Sequence, residues 1–509
     1  MPPSRPAALS ADLELLKRAV SRAPTAALTS QRWFRAKGRS VAGLSLADAA
    51  CLAPDPAGLG LDAALLIVSA TYADTQSEDR YFIPVVIDRQ PVARPPGAGA
   101  EASDVARLAV SDAETGTVVR EPADGDHVWS RMLAAMRSGL HLPGLRGGFA
   151  FEAVGDGPPS GGAERRLTAE QTNSSIVVGD AILKLYRLVE PGENLDLQVS
   201  AFLAEVGFLR TPPLLGAARY RPTVGERSTL AMLQSRVPND GDGWSWLLDR
   251  LRAAAGGPLE EALAGVADIG ALTAELHAAL GSRSADPAFP HRPAHAADLA
   301  SWRASALSQL SGALGALRGE QAARLRAIEP ALRRRLDTGF GATSDKMRAP
   351  AAAVVSRVHG DYHLGQLLHG GDGFTVIDFE GEPARPARDR RLPTSPLKDV
   401  AGMLRSFDYA ARTVAADAPV SIDADAFLSR SRSRFLEAYA AAGGALNQDL
   451  LDAFELEKAC YEVRYEAANR PEWTWLPLEA LERLAAWPAH RPAWRSVSSG
   501  REPPGRARP

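Results

Sequence analysis

One stretch of the chain crowds acid, imidazole and amide side chains together: His359-Gly360-Asp361-Tyr362-His363-Leu364-Gly365-Gln366, followed twelve residues after Gln366 by Asp378 in Phe374-Thr375-Val376-Ile377-Asp378-Phe379-Glu380. The residues between read as a hairpin, with Leu367-Leu368-His369, a turn at Gly370-Gly371-Asp372-Gly373, and β-branched and aromatic residues leading to Asp378. Such a hairpin gathers Asp361, Gln366 and Asp378 around one small volume. Phosphoryl transfer needs an acceptor-only side chain to orient and deprotonate a hydroxyl, and hard oxygen ligands for magnesium bridging the phosphates. Asp361 suits the first task, and Gln366 with Asp378 the second. Alone, either acid would be expected to satisfy turn backbone groups. The combination favours catalysis.

The elements that must position these residues lie upstream. Ser175-Ile176-Val177-Val178, Gly179-Asp180 and Ala181-Ile182-Leu183-Lys184-Leu185-Tyr186 give strand, two-residue turn, strand, which sets Lys184 on a strand. A helix over 196–205 follows, then an apolar strand at Leu230-Ala231-Met232-Leu233-Gln234 and a linker at Val237-Pro238-Asn239. This order is that of a kinase small lobe. A charge in an apolar strand needs a partner; a phosphate would serve, and Asp196, Glu193 and Glu205 are the nearby carboxylates. The polar turn Glu170-Gln171-Thr172-Asn173-Ser174-Ser175 could present N–H groups and hydroxyls to phosphate, although an ordinary polar turn reads equally well.

Ahead of this lobe, a short helical pattern over 13–20, strand-like runs over 64–68 and 81–87, and a helix over 128–138 suggest a small α+β unit. The Pro/Ala/Gly-rich segment 89–102 reads as a mobile loop and 499–509 as a disordered tail. Beyond Gly243 the pattern is helical. Val266, Ile269, Leu272, Leu276 and Leu280 recur at helical spacing, and His277 reads as a packed histidine on that helix. Helices are also expected over 398–412 and 454–469.

At 509 residues with 45% hydrophobic content, the chain can bury substantial cores in several units. Its 58 basic and 61 acidic residues leave a net charge of −3, without the basic excess that nucleic acid would require. Only Cys51 and Cys460 occur, far apart, which speaks against a disulfide framework or zinc site and for a reducing cytoplasm. No basic-then-apolar leader and no apolar run of roughly 18 residues is evident, so no membrane partner is expected.

Taken together, these motifs closely resemble actinobacterial maltokinases, including those fused to trehalose synthase. The resemblance rests on Gln31-Arg32-Trp33-Phe34 with Lys37-Gly38-Arg39, on Lys184-Leu185-Tyr186-Arg187, on Gly241-Asp242-Gly243-Trp244, and most specifically on 359–366, 378–386 and 395–409. It implies an α+β, two-lobed, eukaryotic-protein-kinase-like and aminoglycoside-phosphotransferase-like fold with an amino-terminal α+β cap. The expected divisions are a cap over 1–140, a small lobe over 141–238 and a helical lobe over 239–498. It also implies ATP and Mg2+ as cofactors, with transfer of the γ-phosphate to the anomeric hydroxyl of maltose for α-glucan synthesis.

On the matching positions, Asp361 is the implied base and His363 shapes its loop. Gln366 and Asp378 are the implied metal ligands and Lys184 the implied phosphate contact, while Asn173, Ser174 and Ser175 are the polar turn's own candidates for nucleotide contact. Gln234, Arg236 and Val237 form the implied hinge for adenine. Two departures stand out. Many relatives carry Glu where Gln198 aligns, and Arg35-Ala36 replaces a pair of glycines.

Sugars are held by aromatic faces and by hydroxyl-accepting carboxylates and amides. Glu380, Glu382, Arg385, Tyr461, Glu462, Tyr465, Glu466 and Trp473 offer that chemistry, and for each one a packing or surface role is an equal alternative. Three functions follow in order: a maltokinase, a glucosamine or other amino-sugar kinase on the same fold, and a regulatory protein that has lost catalysis. The resemblance leaves room for a complex with trehalose synthase.

Overall fold

Residues Ala63–Ala70 and Tyr81–Asp88 are buried without interruption, which marks two strands covered on both faces. In the computed structural model they belong to a five-stranded antiparallel sheet of order β1-β2-β3-β5-β4: β1 Val41–Cys51, β2 Leu61–Tyr72, β3 Glu78–Asp88, β4 Ala109–Ser111 and β5 Val118–Arg120. The structure describes residues 7–36, 38–52, 61–75, 77–89, 109–111, 116–167, 173–254, 259–343, 346–347, 353–383, 385–416 and 422–486. Most of the 89–102 loop, the 499–509 tail, Lys37 and Glu170-Gln171-Thr172 lie outside the described residues.

Period-two alternation splits the sheet between two cores. Ala64, Leu66 and Val68 pack with Leu15, Leu16, Trp33 and Phe34. Leu65, Ile67, Phe82 and Val86 pack instead with Trp129, Met132, Phe149, Ile176, Leu183 and Leu185 of the following elements.

Those elements include a seven-stranded sheet of order β6-β7-β11-β12-β10-β9-β8, formed by β6 His141–Pro143, β7 Gly147–Ala153, β8 Glu164–Arg166, β9 Ser174–Val178, β10 Ala181–Leu185, β11 Leu214–Pro222 and β12 Ser228–Ser235. Gly179 at φ 59° supplies the left-handed residue of the β9–β10 turn. The helix Leu195–Glu205 follows, capped by Asn194, whose side chain accepts from the Asp196 N–H at 2.8 Å.

The chain forms two compact units, Met1–Arg292 with Val354–Ala445, and Pro293–Ala353 with Leu446–Pro509. In the first, the expected apolar stripe is buried on the helix Glu260–Leu280. By length and composition this helix could cross a membrane, although Asp268 and Glu275 interrupt its apolar run. With 61% of its apolar window buried inside the protein, it is a core helix. The second unit packs helices Ala296–Ala316, Gly319–Gly339, Gln448–Asn469 and Trp475–Ala486. Trp302 meets Phe454 edge-on, and Arg324 pairs with Glu482 at 2.7 Å.

Candidate active site

The loop carrying Asp361 is fixed from below. Asp399, in the first turn of the helix Leu397–Ala416, accepts the His359 N–H at 2.8 Å and the Gly360 N–H at 2.9 Å. Its Oδ2 also meets His277 Nε2 at 3.2 Å, and His277 Nδ1 meets the Tyr439 hydroxyl at 3.0 Å. Burial pushes the Asp399 carboxyl up, but His277, His359 and the Gly360 N–H outweigh it and hold the group below the usual carboxylate range.

Ser406 accepts the Leu364 N–H at 3.1 Å, and a Cβ at Gly402 would lie 2.6 Å from the Tyr362 carbonyl, so glycine is what lets this helix lie against the loop. His363 caps the turn Leu364–Gln366 by accepting the Gly365 N–H at 3.0 Å, and its Nε2 lies 3.9 Å from Asp361 Oδ2. Asp361 is thus held in a loop bonded at both ends, with its side chain 15% exposed.

The expected hairpin is present, with Leu367–Gly370 paired to Gly373–Val376. The Ile377 N–H returns to Gln366 O at 3.0 Å, and His359 Nε2 meets Ile377 O at 2.9 Å. Asp378 then adopts φ 66°, a left-handed conformation shared among described non-glycine residues only with His127. An acid held there by its surroundings is a mark of function.

Asp378 Oδ2 accepts from Gln366 Nε2 at 3.3 Å, and its Oδ1 accepts from Lys184 Nζ at 2.7 Å. Lys184 also donates to Asp196 Oδ2 at 2.8 Å and lies 2.7 Å from Glu380 Oε1. Asp196 is therefore the lysine's helix partner, and its second oxygen accepts the Phe379 N–H at 3.0 Å. Burial lowers the Lys184 pKa, yet the carboxylates of Asp196, Asp378 and Glu380 raise it well above the ordinary lysine value. Asp378 is held down by Lys184 against its burial, whereas burial together with Asp378 and Asp196 leaves Glu380 raised despite the lysine.

Oxygens of Asp196, Asp378 and Glu380 lie within 4.8 Å of one another. That set of hard donors fits a small divalent cation. The Lys184 ammonium stands among the same oxygens, as a bridging cation would.

Several expected contacts fall elsewhere. Ser174 and Ser175 are inside β9, paired to Leu185 and Lys184, so their backbone groups serve the ladder rather than a phosphate turn. The Ser174 hydroxyl accepts from Arg187 Nε at 2.9 Å. Only Asn173 reaches the cluster, with its amide on Glu380. Glu380 itself, expected on the sugar side, is buried against Lys184.

At the hinge, the Arg236 N–H is taken by Asp180 O at 2.8 Å, and the Gln234 amide donates to Ser200 Oγ at 3.3 Å. Val237 O accepts from Asn239 at 2.9 Å. Glu382 is buried in an ion pair with Arg385. In the second unit, Tyr461 stacks on Tyr465 with centroids 6.3 Å apart, and Glu466 pairs with Arg470 at 2.6 Å. Arg470 also lies 5.3 Å over the Trp473 ring, and Glu462 is half-buried.

The expectations passed over Tyr186, whose hydroxyl donates to Asp196 at 3.2 Å, and Ser406. Strand alternation offered a signal for the first, since residues two apart share a face.

A lysine-bearing sheet, a clamped loop carrying Asp361 and an acid hairpin together fit a kinase-type phosphotransferase. The model of the maltokinase N-terminal cap domain matches residues 28–119, and that of the phosphotransferase enzyme family matches 165–418. The chain is 31% identical over 387 residues to a glucosamine kinase of Streptacidiphilus jiangxiensis, covering 72% of this chain and 83% of the relative. It is 29% identical over 377 residues to a glucosamine kinase of Mycolicibacterium smegmatis, covering 72% and 90%. A solved glucosamine kinase in complex with glucosamine, ADP and inorganic phosphate superposes with a TM-score of 0.65 at 27% identity, covering 92% of this chain and 98% of that one. The chain belongs to the phosphotransferase enzyme family, with a maltokinase-type amino-terminal cap, and is a sugar kinase.

Proposed function

We propose that this kinase transfers the γ-phosphate of ATP to the anomeric hydroxyl of maltose, giving maltose 1-phosphate and ADP for α-glucan synthesis in the cytoplasm. Asp361 accepts the hydroxyl proton and aims the oxygen at phosphorus. Its loop is held by Asp399, His277 and Ser406, so little reorganisation is needed. Lys184, kept charged by Asp196, Asp378 and Glu380, also meets phosphate oxygens, and Asp196 holds the Phe379 backbone. Asp378 and Gln366, with Glu380 and Asp196 nearby, would hold magnesium, which supplies neutralisation of phosphate charge when bound.

The observation favouring a neutral acceptor is charge compensation. Glu380 is held by Lys184 and Glu382 by Arg385, so these carboxylates already carry cations that an ammonium would have to displace. The cap match and the maltokinase motifs around Asp378 support the same reading.

The second reading, a glucosamine acceptor, is favoured by the names of the curated relatives and by the bound sugar of the solved complex. Steady-state assays of ADP release with maltose and with glucosamine separate the two. A higher kcat/KM for glucosamine would replace the first reading with the second. The implied complex with trehalose synthase is tested by co-purification of the two proteins.

A further inference from the structure

Arg187, two residues beyond β10, has a fully buried side chain. Its Nε donates to Ser174 Oγ at 2.9 Å on β9, and its Nη1 to Phe82 O at 3.4 Å on β3. Nη2 lies 3.4 Å from Glu121 Oε2, and the guanidinium stands 5.2 Å over the Trp33 ring. The backbone repeats the connection: Arg187 O accepts the Phe82 N–H at 2.7 Å, and the Val189 N–H donates to Arg80 O at 2.8 Å. Glu121 is also 3.5 Å from Arg166 and so serves two cations. A charge buried on such terms is costly and tolerates little displacement.

What the guanidinium holds on the lobe side matters most. Ser174 adjoins Asn173, whose amide grips Glu380, and Arg187 lies three residues from Lys184. Two of the small-lobe segments that reach the acid cluster, β9 and β10, are therefore tied to Trp33 and Phe82 of the cap through one side chain. We propose that Arg187 is a positioning residue through which the cap sets Lys184 and Asn173 against Glu380 and Asp378, and thereby sets the affinity for ATP. This rests on the reading of Lys184 as a phosphate contact.

The mildest perturbation is Ser174→Ala, which removes one acceptor from a buried donor and little volume. It is expected to raise the KM for ATP roughly three- to tenfold while the KM for the sugar stays within about twofold. Arg187→Lys, whose ammonium cannot span Ser174, Phe82 O and the indole face together, is expected to raise it by more than about tenfold.

The control is Asp48→Asn. Asp48 is a fully buried cap residue that accepts from the Arg146 N–H at 3.2 Å and the Tyr220 hydroxyl at 2.8 Å, and thus joins cap to lobe without bonding β9 or β10. Its melting temperature should fall with no change in the KM for ATP.

If Ser174→Ala and Arg187→Lys lower the melting temperature as Asp48→Asn does but leave the KM for ATP unmoved, Arg187 only joins two sheets and the proposal is overturned. Should Arg187→Lys fail to fold, Ser174→Ala and Glu121→Gln decide by the same readout. Lys184→Ala is run in parallel. If it leaves the KM for ATP unchanged, the phosphate-contact reading fails by itself, which is a different result from a failure of Ser174→Ala alone.

Discussion

Asp196→Asn tests how the lysine is held. The carboxylate makes a 2.8 Å bond to Lys184 and a 3.0 Å bond to the Phe379 N–H. Asparagine keeps the shape and one acceptor oxygen for the Phe379 N–H, so the loss falls on the charge-assisted bond to Lys184, worth about 1.5–3 kcal/mol. Asp378 and Glu380 remain on the ammonium and soften the loss, which places it near 2 kcal/mol, or roughly thirtyfold in kcat/KM for ATP. The resemblance to maltokinases implies a lysine partner at Gln198, yet Asp196 is the residue that meets the lysine. Gln198→Ala should therefore cost less than about threefold in the same coupled ADP-release assay. The reasoning is refuted if Gln198→Ala loses as much as Asp196→Asn, or if Asp196→Asn stays within a factor of about three of wild type.

Tyr186→Phe removes a 3.2 Å bond to the same carboxylate and should lower kcat/KM for ATP by roughly threefold, measured in that assay. Chelation of divalent cations should stop turnover, and added magnesium should restore it; turnover surviving in chelator would refute the metal reading of Asp378 and Gln366. Asp399 supplies a pH dependence. Its folded pKa lies below the unfolded value of about 3.9, so its contribution is complete above that value and is lost as pH falls from there through the lower folded pKa. Asp399→Asn should be less stable than wild type at pH 7, and the gap in melting temperature should narrow toward pH 3; a constant gap would contradict the account.

Much of this site was legible because chemistry and local pattern coincided. The hairpin from Leu367 to Val376 carries turn glycines between apolar runs, and the catalytic loop and Asp378 flank it. The Gly179-Asp180 turn placed Lys184 correctly on its strand. The reading failed where long-range pairing decides.

Ser174 and Ser175 look like a polar turn, but β10 pairs with both, and the Leu167 N–H donates to the Ser175 carbonyl. Glu380 reads as a sugar contact until β10 brings Lys184 to it across nearly two hundred residues of sequence. The strand Leu214–Pro222, broken by Gly216, Arg219 and Arg221, lacks a clean apolar run and so gives little strand signal, although it pairs with β7 and β12. Arg187 stands inside a motif, but nothing local in the sequence distinguishes a fully buried arginine from a surface one.

The most direct measurement is 31P–1H NMR of the product formed from ATP, magnesium and maltose by the wild-type protein and by Asp361→Asn. The account predicts a phosphate coupled to the anomeric proton, with the variant slowed by at least about a thousandfold while it still binds ADP. A phosphate on any other carbon, no phosphorylated maltose at all, or a variant as fast as wild type would contradict it.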